Sequence, residues 1–291
     1  MEKKTCLYDK HVALGALMQP FGGFIMPIQY SNITDEHNAV RQHCGVFDVS
    51  HMGEVTVKGP DAERYVSHIF TNDVRGAEPG KIFYGMMCYE NGGTVDDLLV
   101  YKVSDNEFFL VINAANIDKD VEWIMCNAEG FDVKIENESP YYGEVAVQGP
   151  GAEEAVERIL GLPVRDIPFY NFVTLRADDE DIIVSRTGYT GEDGFEIYGS
   201  HEFTQRVWDK LMDGGVEPCG LGCRDTLRFE VGLPLYGDEL SADITPLEAS
   251  LSMFVKLDKS EFIGREALAR QKAEGVSRRI VGLELEGNAI P

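Results

Sequence analysis

The sequence predicts an α+β fold made of two pseudo-repeated sheet-and-helix units, and three observations carry that expectation. First, the chain matches itself: Gly53 to Ile69 reads GEVTVKGPDAERYVSHI and Gly143 to Ile159 reads GEVAVQGPGAEEAVERI, with ten of seventeen positions identical at an offset of ninety. Second, in each copy alternating valines mark a strand, Gly-Pro breaks it, and a helix can begin from the proline. Third, the likeness continues downstream. FFLVINAANIDKDVEWI (108–124) and GFEIYGSHEFTQRVWDKLM (194–212) each read as a strand followed by an amphipathic helix with a tryptophan, Trp123 and Trp208. A cleft between two such units is a natural ligand site.

The segment Asn137-Glu138-Ser139-Pro140 separates the two units. The expected organisation is a first α+β unit with the N-terminal segment over 1–138, a second α+β unit over 139–240, and a connecting segment from 241 onwards. Within the first unit, NGGTVDDLLVY (91–101) reads as a hairpin: Met86 to Tyr89 is strand-like, Asn91-Gly92-Gly93 tolerates positive φ, and Val95 to Tyr101 is rich in β-formers. Strand alternation places Asp96 with Leu98 and Val100, and Asp97 with Leu99 and Tyr101. Neither face is polar, so at least one carboxylate needs donors, a proton or a polar cavity. Alternation does not choose between the two, and turn-flanking aspartates at a strand mouth are common.

Later in the chain, CGLGCRDTLRFEVGLPLYGDE (219–239) begins as a helix that sets Arg224 and Arg228 one turn apart. Two guanidiniums on one face suit a carboxylate ligand. The same pair also suits a structural node, since Asp225 lies three residues before Arg228 and Asp238 can reach back beyond Pro234.

Composition narrows the partners. The 291 residues carry 26 Lys and Arg against 50 Asp and Glu, a net charge of −24, which repels nucleic acid and anionic membrane as a whole. A small molecule, or a protein docking on a local basic patch, is the expected partner. No apolar run reaches spanning length and MEKKTCLYDKH lacks a signal-peptide core, so a cytoplasmic location is expected. Six scattered cysteines read as reduced thiols, and no Cys/His spacing of a metal site is present. Neither G-x-G-x-x-G after a strand nor a Walker loop occurs, so no nucleotide cofactor is indicated.

Six blocks in register, FDVSHMGEV (47–55), GGTVDDLLVY (92–101), VQGP (147–150), TGYTGEDGFEIY (187–198), GLGCRDTLRFEVGLPLYGDE (220–239) and FIGREAL (262–268), resemble the glycine-cleavage T proteins, the tetrahydrofolate-dependent aminomethyltransferases. The resemblance covers essentially the whole chain. It implies transfer of the aminomethyl-derived carbon from the lipoyl arm of the H protein to tetrahydrofolate, giving 5,10-methylenetetrahydrofolate and ammonia, with folate in the central cleft of a three-domain molecule. By resemblance the essential carboxylate falls on Asp96, Glu196 hydrogen-bonds the pterin, Arg224 contacts folate with Arg228 as a helper, and Tyr189, Tyr84, Met52, Asn113 and Tyr170 line the pocket. The resemblance also implies that residues 241–291 lead into a C-terminal β-barrel domain that helps close the cleft and supplies an arginine. RIVGLELEG (279–287) would be its opening strand, and the family pattern continues past Pro291.

Relatives of the same fold offer the alternatives. A non-catalytic folate-binding protein of iron-sulfur assembly carries a K-G-C-x-x-G-Q-E motif, where this chain has RTGYTGEDG without the thiol. Folate-dependent demethylases reuse the cleft; the DD block and intact GYTGEDGFE favour aminomethyl transfer. Arg278 and Arg279 with Lys256, Lys259 and Arg265 form the notable basic cluster and the expected docking face for H protein.

Overall fold

The computed structural model describes residues 2–284. The chain opens with β1 (Lys3–Lys4), α1 (Tyr8–Ala13), β2 (Leu17–Phe21), β3 (Phe24–Gln29), α2 (Ile33–Gln42) and β4 (Gly45–Asp48). The first repeat supplies β5 (Gly53–Lys58), α3 (Ala62–Ile69), β6 (Ile82–Cys88), β7 (Thr94–Ser104), β8 (Glu107–Ile112), α4 (Ile117–Cys126) and β9 (Lys134–Asn137). The second supplies β10 (Tyr142–Gln148), α5 (Ala152–Ala155), β11 (Phe172–Ala177), β12 (Glu180–Ser185), β13 (Gly194–Ser200) and α6 (His201–Asp213). After these come β14 (Glu217–Pro218), α7 (Leu221–Glu230) and α8 (Arg265–Glu274).

Both copies of the repeat fold as strand then helix. The helices start two residues beyond Pro60 and Pro150, and α5 runs on into a π-helical turn over Val156–Leu160. Val55 and Val57 pack under α3 and α4 with Leu98 and Val100, while Val145 and Val147 pack with Trp208 of α6. The opposite faces of the two sheets meet in a cluster of Ile82, Tyr101, Phe109, Val111, Phe172 and Tyr198. There the Tyr101 and Tyr198 hydroxyls hydrogen-bond at 2.9 Å across the interface. Polar tips are thereby satisfied inside an apolar layer.

One sheet runs β6-β7-β8-β5-β9 and the other β11-β12-β13-β10-β4-β14. Aligning them by repeat shows that each unit lends its opening strand to the other: β4, just ahead of β5, pairs antiparallel with β10, and β9, just ahead of β10, pairs antiparallel with β5. The two crossings are built alike. Ser50 N–H donates to Asp48 Oδ1 (2.9 Å), its hydroxyl exchanges two bonds with the Glu144 backbone (2.9 and 3.0 Å), and Val49 N–H donates to Glu144 O (3.1 Å). At the second crossing, Ser139 N–H donates to Asn137 Oδ1 (3.1 Å), its hydroxyl bonds the Glu54 backbone (2.9 and 3.4 Å), and Glu138 N–H donates to Glu54 O (2.8 Å). The boundary expected at 138 therefore does not separate the two sheets. The N-terminal segment also belongs with the second unit, because Leu7 lies in its core and β4 in its sheet.

Residues beyond α7 fold back onto the first unit. Thr94 N–H bonds both Ser241 O and Ile244 O, and the buried Lys259 ammonium caps the α3 end through Ser67 O, Phe70 O and Asn72 O at 2.7 to 2.8 Å. Part of the expected barrel strand at 279–287 falls on 279–284, which carry no strand, and 285–287 lie outside the described residues. Among the described residues no helix is long and apolar enough to cross a membrane, and all six cysteines are free.

Candidate active site

The hairpin forms as read, with Tyr89 N–H bonding Gly93 O at 2.8 Å and Gly92 at φ +90°. Its pleat separates the two aspartates. Asp96, Leu98 and Val100 are buried toward α3 and α4, whereas Asp97 and Leu99 are half-buried on the face turned to the other sheet. The strand thus turns Asp96, the carboxylate expected from the resemblance, beneath the sheet, and turns Asp97 toward the other sheet. The aliphatic pair Leu98 and Val100 seals its face under helices, while Leu99 and Tyr101 pack on the opposite face against the inter-sheet cluster.

Asp97 Oδ2 accepts from the Tyr84 hydroxyl at 2.9 Å and Oδ1 from Asn113 Nδ2 at 3.0 Å. The same amide reaches Asp96 Oδ1 (2.9 Å) and Asp97 O (3.0 Å), so its two hydrogens are shared among three acceptors. Burial, followed by the charge of Asp96, pushes the Asp97 carboxyl up to about 7, against the two bonds that favour its anion. Tyr84 is itself raised well above its ordinary value, first by burial and then by Asp97.

Across the cleft, Arg224 lies with its guanidinium 4.6 Å from the centre of the Tyr189 ring, a cation–π contact. Its Nη1 is buried with no partner among the described residues. The Tyr189 hydroxyl is fixed on Pro234 O. Glu196 is buried on β13, where the Thr187 hydroxyl donates to Oε2; burial raises its carboxyl, and the nearby Arg224 charge partly offsets this. Tyr170 shares the charge environment of Glu196, and Met52 packs with Leu99 and Tyr170 against the inter-sheet cluster. Tyr170 holds φ +58°, a strained position for a non-glycine residue.

Of the residues expected from sequence, the fold thus gathers Met52, Tyr84, Asn113, Tyr170, Tyr189, Glu196 and Arg224 around Asp97. Two stand apart, although Arg228 lies close enough to Tyr189 to share its charge environment. Asp96 lies beneath the sheet, and Arg228 is buried and spent: it bonds Asp225 (2.8 Å), Glu239 (2.9 Å) and Leu233 O (3.2 Å), with Asp238 at 3.5 Å. Arg228 is the structural node that its spacing allowed, fastening α7 to the following loop. Sequence reading missed Asn116 and Asp120, which flank Asp96 from the start of α4. Their spacing of one helical turn, directly after Asn113, was the available signal.

The basic cluster also dissolves. Lys259 is buried on α3 carbonyls, Arg265 bonds Lys259 O and Leu257 O (both 2.7 Å), and Arg278 pairs with Glu248 (3.0 Å). Three of its five cations are committed within the chain, so the docking face expected there has little free charge to offer.

Comparison with known proteins agrees with this architecture. Residues 7–259 match the family described as the GCVT N-terminal domain. An aminomethyltransferase of Lysinibacillus sphaericus is 49% identical over 99% of this chain and 80% of its own length. One from Desulfitobacterium hafniense is 50% identical over 97% of this chain and 79% of its own. The crystal structure of the glycine cleavage system aminomethyltransferase T from Bartonella henselae superposes with a TM-score of 0.91 at 33% identity, over 96% of this chain and 77% of that one. The chain is a transferase and belongs to the aminomethyltransferase family, the T proteins of the glycine cleavage system.

Proposed function

We propose that the chain passes the aminomethyl-derived carbon from the lipoyl arm of the H protein to tetrahydrofolate bound in the inter-sheet cleft, giving 5,10-methylenetetrahydrofolate and ammonia. The observation that carries this is the half-buried Asp97, set between Tyr84 and Asn113 on the face of β7 turned to the other sheet. A folate fits the residues present. The pterin's amino group and ring N–H form a donor edge that suits the Glu196 carboxylate, whose second oxygen has no bond among the described residues. Tyr84, Tyr170 and Tyr189 offer aromatic surface, and Arg224 offers an unspent guanidinium for an anionic group.

When bound, folate supplies two nitrogens, N5 and N10, that bond to the aminomethyl carbon as its bonds to nitrogen and to the lipoyl sulfur break, and their two protons leave with ammonia and the dihydrolipoyl thiol. Positive charge develops at that carbon as each leaving group departs. Asp97 orients the attacking amine and stabilises this charge, in a cleft where partial burial strengthens the attraction. Because its carboxyl titrates close to neutrality, Asp97 can also take up the proton that the amine releases.

Calorimetric titration of tetrahydrofolate tests the binding half of the proposal. Wild type should bind, while Glu196→Ala and Arg224→Ala should each weaken binding about tenfold or more, the loss of a charge-assisted hydrogen bond. Wild-type affinity in both variants would remove the proposed folate orientation.

A further inference from the structure

We infer that Asp96 and Asp120 act together as positioning residues for Asp97: beneath β7 they hold one proton between them and keep one negative charge, which Asn113 ties to the cleft carboxylate. The inference rests on the reading that Asp97 faces the substrate. Asp96 and Asp120 are both fully buried. Asp96 accepts from Asn113 N–H (3.0 Å), Asn113 Nδ2 (2.9 Å) and Asn116 Nδ2 (2.7 Å), a set of donors that suits an anion. Asp120 Oδ1 accepts from Lys119 Nζ at 2.7 Å, but Oδ2 is buried without a partner among the described residues.

Two carboxylates with a single bonded cation form a costly buried arrangement. Lys119 is moreover shared with Val95 O and lies 5.0 Å from the centre of the Tyr236 ring. A proton on Asp120, donated to Asp96, satisfies the orphan oxygen and removes one of the two like charges. Consistently, the Asp120 carboxyl is held far above the ordinary range, first by burial and then by its hydrogen bond to Asp96 and the charge there.

The anion left on Asp96 acts on Asp97 through the shared Asn113 amide and through space. Other groups face Asp97 as well: Tyr84 from β6, Asn113 after β8, and Tyr189 from the loop before β13, with Arg224 of α7 behind Tyr189. Among these, Asp96 is the like charge that raises Asp97. Proton exchange at the cleft carboxylate near neutral pH therefore depends on a residue that never touches substrate.

The test is a pH titration of the full chain labelled with 13C at the aspartate carboxyls, in which the resonance lost in Asp97→Asn identifies Asp97. In wild type it should titrate near neutrality. Asp96→Asn should lower its midpoint by about one pH unit, because a like charge has gone, and Asp96→Ser serves if the amide is not tolerated. Asp120→Asn exchanges a neutral acid for a neutral amide and should leave the midpoint in place. An unmoved midpoint in the Asp96 variants, or an equal drop in Asp120→Asn, would overturn the inference. The pH profile of turnover should follow the same shifts. Full turnover in Asp97→Asn would sink the catalytic reading of Asp97 while leaving the titration result intact.

Discussion

At the scale of residues, Glu54 makes the sharpest prediction. Both of its carboxyl oxygens are buried without a partner among the described residues, and burial followed by the charge of Glu138 raises it well above the carboxylate range. The folded chain thus keeps a proton that the unfolded chain releases above about pH 4.3. Where the native state binds more protons, stability falls as pH rises, so this cost grows from there up to the folded-state value. Glu54→Gln removes that slope. Urea unfolding at pH 5 and pH 8 should show the variant gaining on wild type by up to about 1.4 kcal/mol per pH unit. A gap that stays constant with pH would refute it. Sequence went far at this scale but not the whole way. The fold brings seven of the nine expected site residues to the neighbourhood of Asp97, four of them, Met52, Tyr189, Glu196 and Arg224, from the blocks that carry the resemblance. The Asp96 and Asp97 choice needed to know which face of β7 lies under helices, and the Arg224 and Arg228 choice needed to know that Glu239 folds back to occupy the latter. Neither is a property of local pattern.

At the scale of elements, the exchanged strands explain the repeat's Gly-Pro step. Gly59 and Gly149 end β5 and β10 at φ +145° and +125°. A methyl group on Gly59 would lie 2.3 Å from Asp132 O, on the lead-in to β9, and one on Gly149 would lie 2.7 Å from His43 O, on the lead-in to β4, and 2.5 Å from Val40 O of α2. In each copy the glycine is therefore required where the other unit's strand arrives. Gly59→Ala and Gly149→Ala should each cost about 1–3 kcal/mol by equilibrium unfolding. Full stability in either would show that the crossing tolerates a side chain. The repeat itself was legible because alternating valines and Gly-Pro are local signals. The exchange was not, since β4 and β9 are four residues long and nothing within a short strand names its partner.

At the scale of the whole molecule, the two units meet through an aromatic layer closed by the Tyr101 and Tyr198 hydroxyls, and Asp97 lies on the same face of β7 as that layer. The segment after α7 packs back on the first unit, so three of its five clustered cations, Lys259, Arg265 and Arg278, are held by carbonyls and a carboxylate within the chain. Composition foresaw an overall anionic molecule but could not reveal which cations remain free, because that depends on contacts nearly two hundred residues apart in the chain. The proposed chemistry centres on one carboxylate, Asp97, and its face of the sheet. Single-turnover formation of 5,10-methylenetetrahydrofolate from aminomethyl-loaded H protein, measured in wild type, Asp97→Asn and Asp96→Asn with folate saturating, tests it most directly. The structure predicts a loss of about 10²-fold or more in Asp97→Asn, with Asp96→Asn active and only its pH profile displaced. Wild-type turnover in Asp97→Asn, with turnover abolished at every pH in a correctly folded Asp96→Asn, would contradict it.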